Sequence, residues 1–264
     1  MFSIVCPTYN SSDYIHRTIS TILDQVLLPR EVVFSDDGSE DDTIRVINQS
    51  KSKFISKGIN IYVISNKHKG PGAARNAAIF KASEEWIAFL DADDEWHPKK
   101  LLKVSNQIKN SSNYNTFLHW ENFIQLNNKE KLLKHGQYYN QNNNLSEQLY
   151  TSNFFSTSAL VLKRKLLIEY NGFDPLLPNA QDYEFWLRLS PSIKLKIIPE
   201  FLGTYYELKS SITLRPYYQK IKSFLWIAFK YRKFSTNRSF IYKLVRLFLT
   251  KGWLQDINRI IFKK

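Results

Sequence analysis

Cysteine is nearly absent from this 264-residue chain. Cys6 alone excludes a disulfide framework and a cysteine-based zinc site, and it suits a reducing compartment. No stretch approaches the roughly 18–20 uninterrupted apolar residues that a bilayer-spanning helix needs. The opening residues, MFSIVCPTYN, have neither a basic n-region nor a long apolar stretch, so no secretory signal is read there and a cytoplasmic location is expected. No internal repeat is present. The five histidines (His16, His68, His97, His119, His135) show no metal-ligand spacing and are read as structural or surface residues. Acid is the other shortage: after position 208 only Asp256 supplies one, against fourteen Lys or Arg. The chain holds 37 basic and 24 acidic side chains, which leaves 23 of each sign in residues 1–208. The formal net charge of +13 therefore belongs to the last fifth of the chain.

What is present describes a folded body. Hydrophobic residues at 43% and charged residues at 23% exclude a disordered, collagen-like or low-complexity chain. Residues 2–6, 31–35, 60–65 and 86–90 are short apolar runs that read as strands. Between them, Ile15, Ile19, Ile22 and Val26, and then Thr43, Ile44 and Ile47, recur at helical spacing, and a further helix is predicted over 73–82 after Gly70-Pro71-Gly72. Strand alternating with helix predicts an α/β fold with a mainly parallel sheet flanked by helices. In such sheets ligands bind beyond the carboxyl ends of the strands. Polar loops leave three strand ends, at 7–10, 36–39 and 91–94. Further on, strands are predicted at 116–120, 154–162 and 194–198, an exposed loop at 140–144 and a compact helix at 181–189.

Asp91-Ala92-Asp93-Asp94 crowds three carboxylates into four residues after an apolar strand. A divalent cation shared with substrate phosphates relieves such crowding; the competing reading is a solvated turn with Asp94 capping the next helix. Gly70-x-Gly72-x-x-Arg75 is not the dinucleotide fingerprint, which belongs to the first strand–helix turn. Its glycines are read as allowing close backbone approach, with Arg75 and Asn76 facing the site.

Taken in order, Pro7-Thr8-Tyr9-Asn10, Asp36-Asp37-Gly38-Ser39, Gly70-Pro71-Gly72-Ala73-Ala74-Arg75-Asn76, Asp91-Ala92-Asp93-Asp94, Asn171-Gly172-Phe173-Asp174 and Asp182-Tyr183-Glu184-Phe185-Trp186-Leu187-Arg188 resemble the family 2 glycosyltransferases over about residues 1–205. The resemblance implies a GT-A (Rossmann-like) domain over 1–208, with a nucleotide-sugar half (1–100) and an acceptor half (101–208). It implies transfer of a sugar from a nucleotide-sugar donor to a saccharide or lipid-linked saccharide acceptor, with inversion. By the same resemblance Pro7, Thr8 and Tyr9 frame the base and ribose, and Asp37 accepts a hydrogen bond from the base. Arg75 lies near the diphosphate, Asp91 faces the ribose, and Asp93 ligates Mg²⁺ or Mn²⁺. Asp182 is the implied general base, although a carboxylate at a helix N-terminus is expected to keep a low pKa. Trp186 is a candidate floor for the acceptor site, against ordinary core packing. Two departures stand out: Gln181 where the family often has Glu, and Leu208 where it often has a metal-side His. Lys209 is a candidate for supplying positive charge instead. A catalytically silent nucleotide-sugar-binding homologue is the alternative these departures raise.

The remainder, 209–264, forms a basic helical extension. Over 215–264 aromatics interleave with cations. At about 100° per residue Ser239, Lys243, Arg246 and Thr250 form a narrow polar stripe, with Phe240, Ile241, Leu244, Val245, Phe248 and Leu249 spread opposite. That pattern predicts an interfacial helix on an anionic membrane surface. Packing on the body or on a second subunit is the competing reading. No nucleic-acid motif accompanies the segment, so no nucleic-acid partner is expected. The family's lipid-carrier chemistry places the expected site of action at the inner face of the cytoplasmic membrane. The sequence carries no signal for oligomeric state.

Overall fold

The computed structural model describes residues 1–111, 113–208 and 216–249; Lys209, Thr250 and the rest of 250–264 lie outside the described residues. Four parallel strands open the fold: β1 (Phe2–Thr8), β2 (Glu31–Asp36), β3 (Asn60–Ser65) and β4 (Trp86–Phe89). They are joined through α1 (Ile15–Leu23), α2 (Thr43–Ser56) and α3 (Pro71–Lys81). Then come β5 (Glu95–Trp96), α4 (Lys100–Asn110), β6 (Thr116–Ile124), β7 (Glu130–Leu133) and α5 (Leu145–Thr151). They are followed by β8 (Leu160–Lys163), α6 (Arg164–Glu169), α7 (Gln181–Leu189) and β9 (Leu195–Tyr206). Two further helices, α8 (Tyr217–Lys230) and α9 (Asn237–Phe248), complete the described chain. The sheet order is β3-β2-β1-β4-β8-β6-β9-β5, with β7 paired to β6. The second half of the sheet is mixed, because β8 runs antiparallel to both β4 and β6 while β6 and β9 are parallel.

The strands read as near-continuous apolar runs because both faces of the sheet are covered. Ile4, Cys6, Val32, Phe34 and Ala88 point into a core beneath α1, α2 and α4. Their neighbours Val5, Val33, Ile87 and Phe89 point into a second core built with α3, α5, α6 and α7. The period-two alternation of a strand decides which residue serves which core. Ile227 of α8 and Tyr231 just after it also belong to that second core, so this part of the basic extension is part of the body.

Several local expectations need correction. Val26 does not continue the buried face of α1; the helix ends at Leu23 and Val26 is exposed. The predicted strand over 154–162 is irregular at first, forms a short 3₁₀ turn at Thr157–Ala159, and pairs only from Leu160. Asp94 caps no helix: β5 intervenes, and Lys99 occupies the N-cap position of α4.

Candidate active site

The loops after β1 and β2 are laced into one unit by short polar side chains. The buried Asp36 carboxylate accepts from Thr8 Oγ1 at 3.0 Å, from Ser39 Oγ at 2.5 Å, and from the backbone N–H groups of Gly38 and Ser39 at 3.1 and 2.8 Å. Ser39 Oγ accepts from the N–H of Asn10 at 2.9 Å. An Asp that bonds its own backbone two and three residues on is the chemistry of a turn, which is why this motif can close a strand. Asp37 is 2% exposed and accepts from the N–H groups of Lys69 and Gly70 at 2.9 and 2.8 Å, with His68 Nδ1 at 2.9 Å. Its oxygens hold the 68–70 loop against the turn after β2. Thr8 is likewise buried and occupied, and Pro7 is half-buried. Tyr9 is the first-loop residue presented to solvent, at 44% exposure, and its ring lies 4.5 Å from that of His68 at 30°. His68 carried no spacing signal; folding alone puts it there.

In the loop after β4 the three carboxylates have three different environments. Asp94 is turned inward, accepting from Ser158 Oγ at 2.5 Å and from the N–H of Tyr206 at 3.2 Å. Burial pushes its pKa well up, with Asp93, Glu121 and Asp91 adding to the effect. Asp91 is paired with Arg75 Nη2 at 2.6 Å. Among the described residues Asp93 has no ion-pair partner, and burial together with Asp91 raises its pKa to about 6. A hard carboxylate under that electrostatic load suits a divalent cation shared with phosphate oxygens. Among the described residues no group of three or more His, Cys, Asp and Glu could hold a metal unaided, so donor phosphates would have to complete the shell.

Ser158 is the post on which this loop rests, and the sequence reading missed it inside a supposed strand. Its hydroxyl accepts from the N–H of Asp91 at 3.0 Å and donates to Asp94, while its carbonyl accepts from Trp96 Nε1 at 3.0 Å and Lys100 Nζ at 2.8 Å. The irregular backbone before Leu160 is what frees both groups for this task.

Arg75 connects the loop to α7. It is buried, its charge maintained against that burial chiefly by Asp91 and also by Asp182 and Asp93. The approach of α7 depends on two glycines. A Cβ on Gly72 would stand 3.3 Å from Gln181 Cγ, and one on Gly172, where φ is +64°, would stand 2.2 Å from Asn76 Oδ1. Asn76 therefore does not face the site; it grips the turn before α7, exchanging hydrogen bonds at 2.7 Å with the N–H and the carbonyl of Phe173. Asp182, in the first turn of α7, has a raised pKa because burial outweighs the pull of Arg75. The low value expected from the helix N-terminus is thus overturned by desolvation. Trp186 is fully buried against Phe89, Phe173 and Phe185. It is core, and it offers no surface to an acceptor.

Comparison with known proteins decides the kinship. The family model described as "Glycosyl transferase family 2" matches residues 3–170. The chain belongs to glycosyltransferase family 2. It is 29% identical over 211 residues to the amylovoran biosynthesis glycosyltransferase AmsB of Erwinia amylovora, covering 78% of this chain and 69% of that one. It is also 29% identical over 215 residues to the UDP-Glc:alpha-D-GlcNAc-diphosphoundecaprenol beta-1,3-glucosyltransferase WfgD of Escherichia coli, covering 80% and 78%. Among solved structures it resembles S. aureus TarS 1–349 in complex with UDP, with TM-score 0.72 at 20% identity, covering 100% of this chain and 75% of that one. The mannosyltransferase PcManGT from Pyrobaculum calidifontis, in complex with GDP-Man and Mn²⁺, gives TM-score 0.67 at 17% identity, covering 97% and 72%. These likenesses give the GT-A fold. The chain spans 64% of the crystal structure of S. aureus TarS 1–349.

In this family 2 glycosyltransferase the helix bearing Asp182 is clamped by the basic extension. Glu184, fully buried, accepts from Arg188 Nε and Nη2 at 3.1 and 3.0 Å, from Lys230 Nζ at 3.1 Å and from the Tyr231 hydroxyl. Burial would raise its pKa, but the hydrogen bonds from Arg188 and Tyr231 hold it below the usual carboxylate range. Lys243 Nζ donates to the Tyr150 carbonyl at 2.6 Å and to the Tyr183 hydroxyl. Glu184→Ala strands these donors around an empty site. Breaking a buried pair this way costs about 3–5 kcal/mol, so a matching loss of unfolding free energy in urea is expected; an unchanged midpoint would refute the clamp.

Proposed function

We propose that the enzyme transfers a sugar, with inversion, from a UDP-sugar to a lipid-linked saccharide acceptor, using Asp182 as general base and an Asp93-bound Mg²⁺ or Mn²⁺. The observation that carries this reading is Arg75, buried and paired with Asp91 at 2.6 Å, its charge also supported by Asp182 and Asp93. One cation thereby ties the donor-side carboxylates to the candidate base. The names of relatives support the substrates: a UDP-glucose donor and a diphosphoundecaprenol-linked acceptor for WfgD, and UDP bound to TarS.

Under this reading Tyr9 and His68 support the base, and Arg75 and Asp91 orient the ribose and diphosphate. Bound at Asp93, the metal would supply Lewis-acid neutralisation of the leaving diphosphate. Asp182 accepts the proton of the acceptor hydroxyl as the oxygen bonds to the anomeric carbon. The bond from that carbon to the phosphate oxygen breaks on the opposite side, and the electron pair leaves with the nucleoside diphosphate. A carboxylate whose pKa is raised by burial is a stronger base than one held low by a helix terminus. On the acceptor side, a groove of about 970 Å³ runs beside His135, Tyr138, Tyr139, Asn143, Gln148 and Phe154. Its amides and aromatic faces suit a saccharide. None of Asp91, Asp93, Ser158 and Asp182 lines the groove. The lipid-linked acceptor would place the enzyme at the inner face of the cytoplasmic membrane.

The test is release of nucleoside diphosphate from a panel of nucleotide-sugars with Mn²⁺ and membrane extract as acceptor source. UDP release from one UDP-sugar, dependent on both additions, is the expected result. No release from any donor would favour a catalytically silent homologue. Gln181 gives that alternative no support, because it is buried in packing contact with Gly72.

A further inference from the structure

The polar stripe of α9 is divided between the body and solvent, Arg246 being exposed. Lys243, at its centre, is buried against Tyr150 and Tyr183. Phe240, Leu244 and Leu247 lie half-buried on the same side as Lys243, which leaves the rest of the helix's apolar residues outward. Ile241, Tyr242, Val245 and Leu249 share the outer face, and Trp226 and Phe229 of α8 are exposed as well, all six being between 42% and 68% exposed. Phe229 and Phe240 meet edge to face at 5.4 Å, which brings the α8 aromatics alongside α9. Exposed apolar surface on this scale marks an interaction site.

Charge selects the occupant. Residues 216–249 contain eight Lys or Arg and no Asp or Glu, and Lys222, Lys233, Arg238 and Arg246 are exposed. A second copy docking by the same face would set like charge against like, which disfavours a symmetric pair. Nucleic acid would need a run of stacking aromatics, whereas Ile241, Val245 and Leu249 are aliphatic. An anionic lipid surface matches both components, apolar side chains for the acyl boundary and cations for the headgroups.

We propose that the α8–α9 hairpin docks on an anionic membrane surface through this outward face, holding the active site beside the bilayer. The proposal takes its biological sense from the lipid-linked acceptor, but its test reads lipid binding without turnover, so either can fail alone. The full chain is floated with vesicles of phosphatidylcholine alone and with equimolar phosphatidylcholine and phosphatidylglycerol. It is expected to float with the anionic vesicles only. The double variant Ile241→Asp/Leu249→Asp is expected to lose affinity by about tenfold or more per side chain, while its thermal midpoint stays at the wild-type value. Arg238→Glu/Arg246→Glu is expected to weaken flotation in proportion to the anionic lipid content. Failure of the wild type to float, or equal flotation of the aspartate variant, would overturn the proposal. A wild-type dimer in solution that the aspartate variant dissociates would overturn it too, assigning the face to a second copy.

Discussion

Asp182→Asn is expected to lower transfer turnover by about 10²–10⁴-fold, the range that removal of a general base produces, and to leave UDP binding unchanged. The side chain keeps its size and its place in the first turn of α7, so Gly72, Gln181 and Phe173 still pack as before. What disappears is the proton acceptor. The pH profile separates a base from a mere support. Burial raises the pKa of Asp182 above the ordinary carboxylate value, and the active form is the ionised one. Wild-type turnover is therefore expected to fall as pH drops through that raised pKa and to level off above it. The residual activity of Asp182→Asn should not follow that limb. Wild-type turnover in the variant, or an identical acid limb, would remove Asp182 from the mechanism.

Asp93→Asn carries the second large effect, read in binding as well as rate. With Mn²⁺ present and UDP at about 100 times its dissociation constant, linkage predicts a stabilisation of about 2.7 kcal/mol. For a chain of this size each kcal/mol moves the midpoint by roughly 2–4 °C, so the wild type should rise by roughly 5–10 °C. The variant should show little of that rise. Without metal and nucleotide its midpoint is expected to equal or exceed that of the wild type. The reason is the sign of the pKa shift: Asp93 is raised to about 6, so its ionised form at neutral pH is a burden on the folded state that Asn lifts. A variant with the full Mn²⁺–UDP shift would exclude Asp93 as the metal ligand.

How far the chain could be read in advance depended on the range of the interaction concerned. The four opening strands and α7 were legible because apolar alternation and helical period are local, and the acidic turns because Asp and Gly shape a turn from within it. The strand predicted across 154–162 failed for a non-local reason. Ser158 is held by Asp91, Asp94, Trp96 and Lys100, partners more than fifty positions away that no window of sequence contains. The partners of Asp37 were illegible for the same reason, being the N–H groups of Lys69 and Gly70 more than thirty positions on.

Composition established from the outset that there is no disulfide framework, and that residues 1–208 are electrically balanced ahead of a cationic end. Only the tertiary structure decided what that end does with its charges. Lys230 and Lys243 are drawn to Glu184, Tyr150 and Tyr183, acceptors that offset the cost of taking an ammonium out of water. Hydrophobic period alone pointed α9's apolar side at protein or lipid without choosing between them. The acceptors beneath Lys243 draw the lysine into the body beside Phe240, Leu244 and Leu247, which leaves Ile241, Val245 and Leu249 outward.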